Sequence, residues 1–322
     1  MATDHGRSGP ASGHVDDEHL SASGSVAGSV GRVPLRYDTI SFLSDYGLDD
    51  EFVGIVKSVI RSIVAEVAVI DVTHAVAPHD VRAGGLALAR SAAYLCPGVV
   101  LAVVDPGVGT ARRAVAIEVG DGASVLVGPD NGLFAPAVAM VGGATAAYEL
   151  TNVEFHLPAA GATFAGRDVF APVAAHLCAG VPLDELGTSI DMHTLTPGVF
   201  PLSHYENEAL VCEALWIDRY GNVQLNIAAD DLASFGPQVR VVINGRPRVA
   251  TRVADYAAVR VGEVGLVVDS YGLLSLSVDR GSAAVELAVH AGAQVIVEQL
   301  TPSDERRDGV PIQLTPRIGG AR

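Results

Sequence analysis

Asp105 and Arg112 stand seven positions apart in the segment DPGVGTARR (105–113), and their types and spacing suggest chemistry. Pro106 fixes φ, and Gly107 and Gly109 permit positive φ, so this loop has a defined shape with exposed backbone N–H groups. On such a loop Arg112 is close enough to curl back onto Asp105. A carboxylate beside a guanidinium can orient a water molecule and stabilise an oxyanion; the same spacing also suits a purely structural turn pair. Arg112 stands where the last Gly of a GxGxxG fingerprint would fall, which rules out a Rossmann dinucleotide loop.

Other polar clusters punctuate the chain. DVTHAVAPHD (71–80) holds two His and two Asp, which read either as metal ligands awaiting partners from elsewhere or as turn and cap formers. SDYG (44–47) and GPDNG (128–132) each follow an apolar run. TFAGRDVFAP (163–172) opens a helix that Asp168 is positioned to cap, with Arg167 turned to a pocket or a neighbouring subunit.

These clusters need elements to position them. DTISFLSD reads as a strand ending at Ser44–Asp45. Phe52, Ile55, Val56, Val59, Ile60 and Ile63 then form one face of an amphipathic helix. VAVIDV (67–72) reads as a buried strand, a second helix runs from near Asp80 to about Tyr94, and VVLAVV (99–104) is a third strand. Strands at 114–118, 124–127 and 146–150 and a helix at about 168–178 complete an α/β domain, a mostly parallel sheet with helices on both faces, over 36–199. In such sheets ligands sit beyond the carboxyl ends of the strands, where Asp45, Asp71–His74, Asp105 and GPDNG fall. After a linker at 200–205, the runs 210–218, 222–227, 239–243 and 246–250, with GLVVD and LLSLSV, read as an antiparallel β-barrel or small sheet over 206–301. Asn244–Gly245 marks a two-residue hairpin turn. Residues 1–35 read as a disordered tail and 302–322 as a flexible one.

Composition narrows the function classes. The chain has 322 residues, 49% hydrophobic and 5% aromatic, so its cores are aliphatic. A formal net charge of −16 argues against a nucleic-acid backbone as partner and suits a cationic small substrate. Cys96, Cys178 and Cys212 form neither a metal spacing nor a disulfide framework and read as buried core thiols, which points to a reducing cytoplasm. The N-terminus lacks the apolar region of a signal peptide, and no apolar run approaches the ~20 residues of a membrane span.

Taken in order, SDYG, VIDVTH (69–74), DPGVGTARR, GPDNG, TFAGRDVFAP, WIDRYGNV (216–223) and GSAA (281–284) resemble the S-adenosyl-L-methionine (SAM) hydroxide adenosyltransferases. These are adenosine-forming SAM hydrolases related to the SAM-dependent fluorinase and chlorinase, and the similarity runs from about Ile40 to Glu298. The resemblance implies an α/β N-terminal domain, a C-terminal β-barrel, and a homotrimer with SAM between one subunit's N-domain and another's C-domain. It implies adenosine and L-methionine as products, with no metal or redox cofactor.

Residue by residue, the resemblance assigns Asp45 to the ribose hydroxyls and puts His79 where the fluorinase carries a ribose-packing Trp. Phe164 and Gly166 fall in the substrate-binding set, Gly166 matching the small residue beside the chlorinase's halide. Asp218 matches the acid on the methionine amino group, Asn222 the adenine-edge residue, and Tyr256 the aromatic over the adenine. Ser270 and Tyr271 match the pair on the methionine carboxylate, with Tyr271 where the fluorinase has Arg. The hydrolase branch is marked by a triad of Asp, Arg and a His before the GRD step. Asp105 and Arg112 match the first two, whereas halogenases carry Tyr at the Asp105 position. The third member is Ala165 where family hydrolases read FHGRD; His156 lies nearby in sequence. Two alternatives follow: a SAM-dependent chloride adenosyltransferase, suggested by Gly166, and a non-catalytic SAM or adenosine binder, suggested by Ala165.

Overall fold

A computed structural model describes residues 35–198 and 200–300. Inside its first sheet lie β1 (Thr39–Ser44) and β3 (Gly98–Val103), buried along their whole length. Alternation along them feeds two cores: Ile40, Phe42, Val99, Leu101 and Val103 face one side, Leu43, Val100 and Ala102 the other. The first face is covered by α1 (Phe52–Ile63) and α4 (Ala171–Cys178), the second by α2 (Val81–Ser91) and α3 (Ala135–Met140). On α1, Val53, Val56 and Ile60 are buried, each contributing about 1.5–3 kcal/mol relative to exposure.

The remaining strands are β2 (Ala68–Thr73), β4 (Ala114–Val119), β5 (Ser124–Pro129), β6 (Ala144–Glu149) and β7 (Thr188–Ser189), in the order β2-β1-β3-β5-β4-β6-β7. β2, β1, β3 and β5 are parallel, while β4 runs against both β5 and β6. The mostly parallel sheet therefore ends in an antiparallel edge.

The second sheet closes on itself. β9 (Ala209–Ile217), β10 (Val223–Ala228), β11 (Gln238–Ile243), β12 (Arg246–Val253), β13 (Val264–Val268), β14 (Leu273–Val278) and β15 (Gln294–Gln299) follow the order β10-β14-β13-β12-β11-β15-β9, and a β9–β10 pairing completes a barrel. A short β8 (His204–Glu206) pairs with β9 outside the ring, and α5 (Ala283–Glu286) packs on β14. Every barrel pairing is antiparallel except β12–β13. Asn244 (φ 52°) and Gly245 (φ 71°) form the expected hairpin turn between β11 and β12.

Several expectations are corrected. β2 is largely exposed, because it is the edge strand and lacks a neighbour on one side. The second helix ends at Ser91, short of Tyr94, although it starts beside Asp80 as expected, with the Asp80 side chain capping it by accepting from Ala83 N at 2.8 Å. Cys96 is exposed, on the turn that leads into β3; only Cys178 and Cys212 are buried, and burial pushes both thiols up to about 12. α3, β8 and β15 were not read from the sequence. Residues 1–34 and 301–322, which hold nearly all of both expected tails, lie outside the described residues.

Candidate active site

β1 and β3 are parallel neighbours with Ser44 opposite Val103, so Asp45 and Asp105 leave the same edge of the sheet side by side. The Asp45 backbone N–H donates to Val103 O at 3.3 Å. Asp45 Oδ2 accepts from the His79 backbone N–H at 2.9 Å, and Oδ1 carries no hydrogen bond among the described residues. His79 makes that contact from a left-handed conformation (φ 68°), a strained state for a non-glycine residue, with its ring exposed beside Asp45.

Beyond β3, Arg112 does curl back onto Asp105. Its Nε donates to Asp105 Oδ1 at 2.8 Å and its Nη2 to Oδ2, a two-pronged pair whose carboxylate is only 5% exposed. Gly109 takes positive φ (78°), as expected, but Gly107 does not. At Gly107 a Cβ would lie 3.2 Å from Arg112 Cγ, a tight contact that the Arg112 side chain would have to shift to relieve. The Arg112 guanidinium also lies over the Phe170 ring, 5.1 Å from its centroid. Around the pair, Asn131 Nδ2 of GPDNG donates to Val104 O at 2.9 Å, and Arg113 ties Asp130 to Thr194. GPDNG thus braces the end of β3.

The DVTH segment serves the same edge from the other side. Ser44 Oγ lies 2.8 Å from His74 Nδ1, and His74 Nε2 lies 3.0 Å from Asp71 Oδ1. Lys57 Nζ donates to Asp71 Oδ2 at 2.6 Å, and Ser44 Oγ accepts from the Tyr46 N–H at 3.3 Å. A chain of hydrogen bonds therefore runs from Lys57 through Asp71, His74 and Ser44 to the backbone beside Asp45. Burial alone would raise the Asp71 carboxyl, but hydrogen bonds from Lys57 and His74 outweigh it and hold it below its ordinary value. Ser44 is fully buried, so this Ser–His–Asp series positions and does not attack.

The third wall is aromatic. Tyr46, Phe52 and Phe164 pack mutually, with ring centroids 5.1–5.7 Å apart. The helix that follows Phe164 opens as a π-turn over Gly166–Phe170, a form frequent at functional sites. Asp168 does not cap it as expected. It pairs instead with Arg167, whose Nε donates to Asp168 Oδ1 at 2.6 Å, and the buried Asp168 side chain is held there. Ala165 packs against the hydrophobic core, and a Cβ on Gly166 would collide with the Tyr46 hydroxyl. His156 has its Nε2 buried without a hydrogen-bond partner among the described residues, and burial lowers its pKa.

A second cluster sits on the barrel. Asp218 Oδ1 accepts from the Tyr220 and Asn222 N–H groups at 2.8 and 2.9 Å, and Oδ2 from Asn222 Nδ2 at 2.8 Å. Gly221 (φ 86°) lets this loop touch Ser282, where any Cβ would clash, so WIDRYGNV and GSAA meet. Tyr256, half exposed, lies close enough to Asp269 and Asp218 that their charges add to burial in raising its pKa. Ser270 and Tyr271 are exposed on the β13–β14 turn, whose Asp269 accepts from the Tyr271 N–H at 2.8 Å. Tyr271 meets Trp216 edge-on, and Arg90 of α2 stacks over Trp216 at 4.1 Å. Among the described residues no hydrogen bond, ion pair or ring contact joins the barrel cluster to the Asp45–Asp105 cluster. The expected site residues thus form two groups. Tyr46, the Ser44–His74 link and Arg90 escaped sequence reasoning, because only the fold brings their partners to them.

Two family models match the chain, the SAM hydroxide adenosyltransferase N-terminal domain over residues 40–187 and its C-terminal domain over 212–296. The chain belongs to the SAM hydroxide adenosyltransferase family. Among its relatives, the (R)-S-adenosyl-L-methionine hydrolase of Salinispora tropica is 45% identical over 258 residues, covering 80% of this chain and 97% of that protein. The hydrolase of the same name from Thermus thermophilus is 40% identical, covering 80% and 98%. The fluorinase of Actinoplanes sp. is more distant, at 28% identity over 80% of this chain and 96% of its own. A conserved protein from Thermotoga maritima superposes with a TM-score of 0.74 at 34% identity, covering 81% of this chain and all of that one.

Proposed function

We propose that this family member hydrolyses SAM to adenosine and L-methionine. The observation that carries the reading is the buried Asp105–Arg112 pair at the carboxyl end of β3, beside Asp45. The relatives named hydrolases are also more similar to this chain than those named fluorinases.

A water molecule held by Asp105 and Arg112 attacks C5′ of SAM in line with the sulfonium. The O–C5′ bond forms as the C5′–S bond breaks, and its electron pair returns to sulfur. Methionine leaves as a neutral thioether, so no general acid, metal or redox cofactor is needed. The proton lost by the water passes to the Asp105 carboxylate and then to solvent. The protein's contribution is to orient the water at ~3–3.5 Å from C5′ and to exclude bulk solvent.

Asp45, through its free Oδ1, holds the ribose hydroxyls, with His79 beside it; Phe164 and Gly166 face the sugar. On the barrel, Asp218 receives the methionine ammonium, Asn222 and Tyr256 the adenine, and Ser270 and Tyr271 the methionine carboxylate. The two clusters complete each other between copies of the chain, in a homotrimer. That no hydrogen bond, ion pair or ring contact joins the two clusters among the described residues supports this arrangement. We place the protein in the cytoplasm on its unpaired thiols; among the described residues no helix is long and apolar enough to cross a membrane.

Incubation with SAM, with and without chloride, tests the reading. Adenosine in both is expected. 5′-Chloro-5′-deoxyadenosine would instead assign a halide transferase, and SAM bound without product a binding protein.

A further inference from the structure

Tyr46 follows Asp45 directly at the end of β1, and its ring is fixed on several sides. It meets Phe42 edge-on at 6.5 Å and Phe164 edge-on at 5.7 Å, and leans on Phe52 at 5.7 Å. Its backbone N–H is held by Ser44 Oγ, the last link of the Lys57–Asp71–His74 chain. The ring is therefore anchored at both ends, and the hydroxyl points across to Gly166, where only a glycine leaves room for it.

That hydroxyl has no hydrogen-bond partner among the described residues, although it lies inside the catalytic cluster. Asp45, Asp105 and Arg112 are all near enough for their charges to act on it. Burial first, then the two carboxylates, push the phenol well above its ordinary value, so it remains a protonated, neutral group at every working pH. A rigid, uncharged hydroxyl left unpaired among charged groups and aromatic rings is a polar atom waiting for a ligand. The neighbouring Ala165 offers no polar atom, so around Gly166 the phenol is the group able to fill that role.

We infer that Tyr46 is a catalytic residue of this enzyme, its hydroxyl holding the attacking water as a third contact beside Asp105 and Arg112. The inference rests on the hydrolase reading. A water poised for attack must aim one lone pair at C5′ and direct both O–H bonds elsewhere. Asp105 accepts one, and later the proton itself; Tyr46 Oη accepts the other. The phenol neither gains nor loses a proton over the cycle. Such a contact does for orientation what a histidine at position 165 would do.

Tyr46→Phe keeps the ring and its packing and removes only the hydroxyl. Adenosine formation from SAM should slow about tenfold or more in kcat, with KM and adenosine affinity little changed. Gly166→Ala, whose Cβ would displace the hydroxyl, should reproduce the loss. In an Ala165→His background the cost of Tyr46→Phe should shrink, because the imidazole takes over the contact. Wild-type kcat in Tyr46→Phe would overturn the role while leaving the hydrolase reading intact. A loss in which Tm and adenosine affinity fall together, equally in both backgrounds, would also overturn it. No adenosine from the wild-type chain would overturn both.

Discussion

At the scale of the residue, the proposed reaction rests on one ion pair. Asp105 and Arg112 neutralise each other in a buried setting, so removing either strands the other at about 3–5 kcal/mol. A variant at Asp105 must therefore be judged by SAM affinity and melting temperature as well as by turnover. Asp105→Asn keeps the shape and should abolish turnover while SAM binding largely persists. Retained turnover would remove Asp105 from the mechanism. The resemblance places a histidine where Ala165 stands, at the entry to the π-turn. Ala165→His should raise kcat by about tenfold or more if the histidine adds a polar contact that Tyr46 does not already supply. Steady-state kinetics with SAM check this, and an unchanged or lower kcat would mean that the pocket has already adapted to its absence.

At the scale of the element, two parallel strands and a buried relay set the geometry. The relay ends on the backbone N–H of Tyr46, next to Asp45, so His74→Ala should loosen both the ribose side and the water side of the site. Taking the His74 partner from the buried Ser44 hydroxyl costs about 1–3 kcal/mol, and KM for SAM should rise while kcat falls. Asp71, held below its ordinary value, stabilises the fold above about pH 4 and loses that contribution as pH falls through its lowered folded value. The gap in Tm between the wild type and Asp71→Asn should therefore be widest near neutrality and close in acid. A gap independent of pH would contradict the relay. These elements were unevenly legible. Apolar runs ending in Asp45 and Asp105 marked β1, β3 and the edge of the site, because a strand buried on both faces writes a continuous apolar run. VAVIDV writes the same run, yet β2 lies at the edge; sheet order is a non-local property. α3 spans six residues, too few for a helical period to show. Ser44–His74 and Tyr46–Gly166 are pairings that only the folded chain creates.

At the scale of the whole molecule, the proposal that the two half-sites meet between copies makes assembly part of catalysis. If they meet between copies, Asp105→Asn and Asp218→Ala, each inactive alone, should complement each other when their subunits are exchanged. In randomly mixed trimers about a quarter of the sites would carry both intact halves, with a corresponding share of activity. No recovery on mixing would place both halves in one chain. The charge of −16 suits attraction of a cationic sulfonium substrate, an effect that added salt should weaken. The most direct test of SAM hydrolysis is to run the reaction in heavy-oxygen water and weigh the products. Attack by water at C5′ predicts one labelled oxygen in adenosine and none in methionine; unlabelled adenosine, or no adenosine at all, would contradict it.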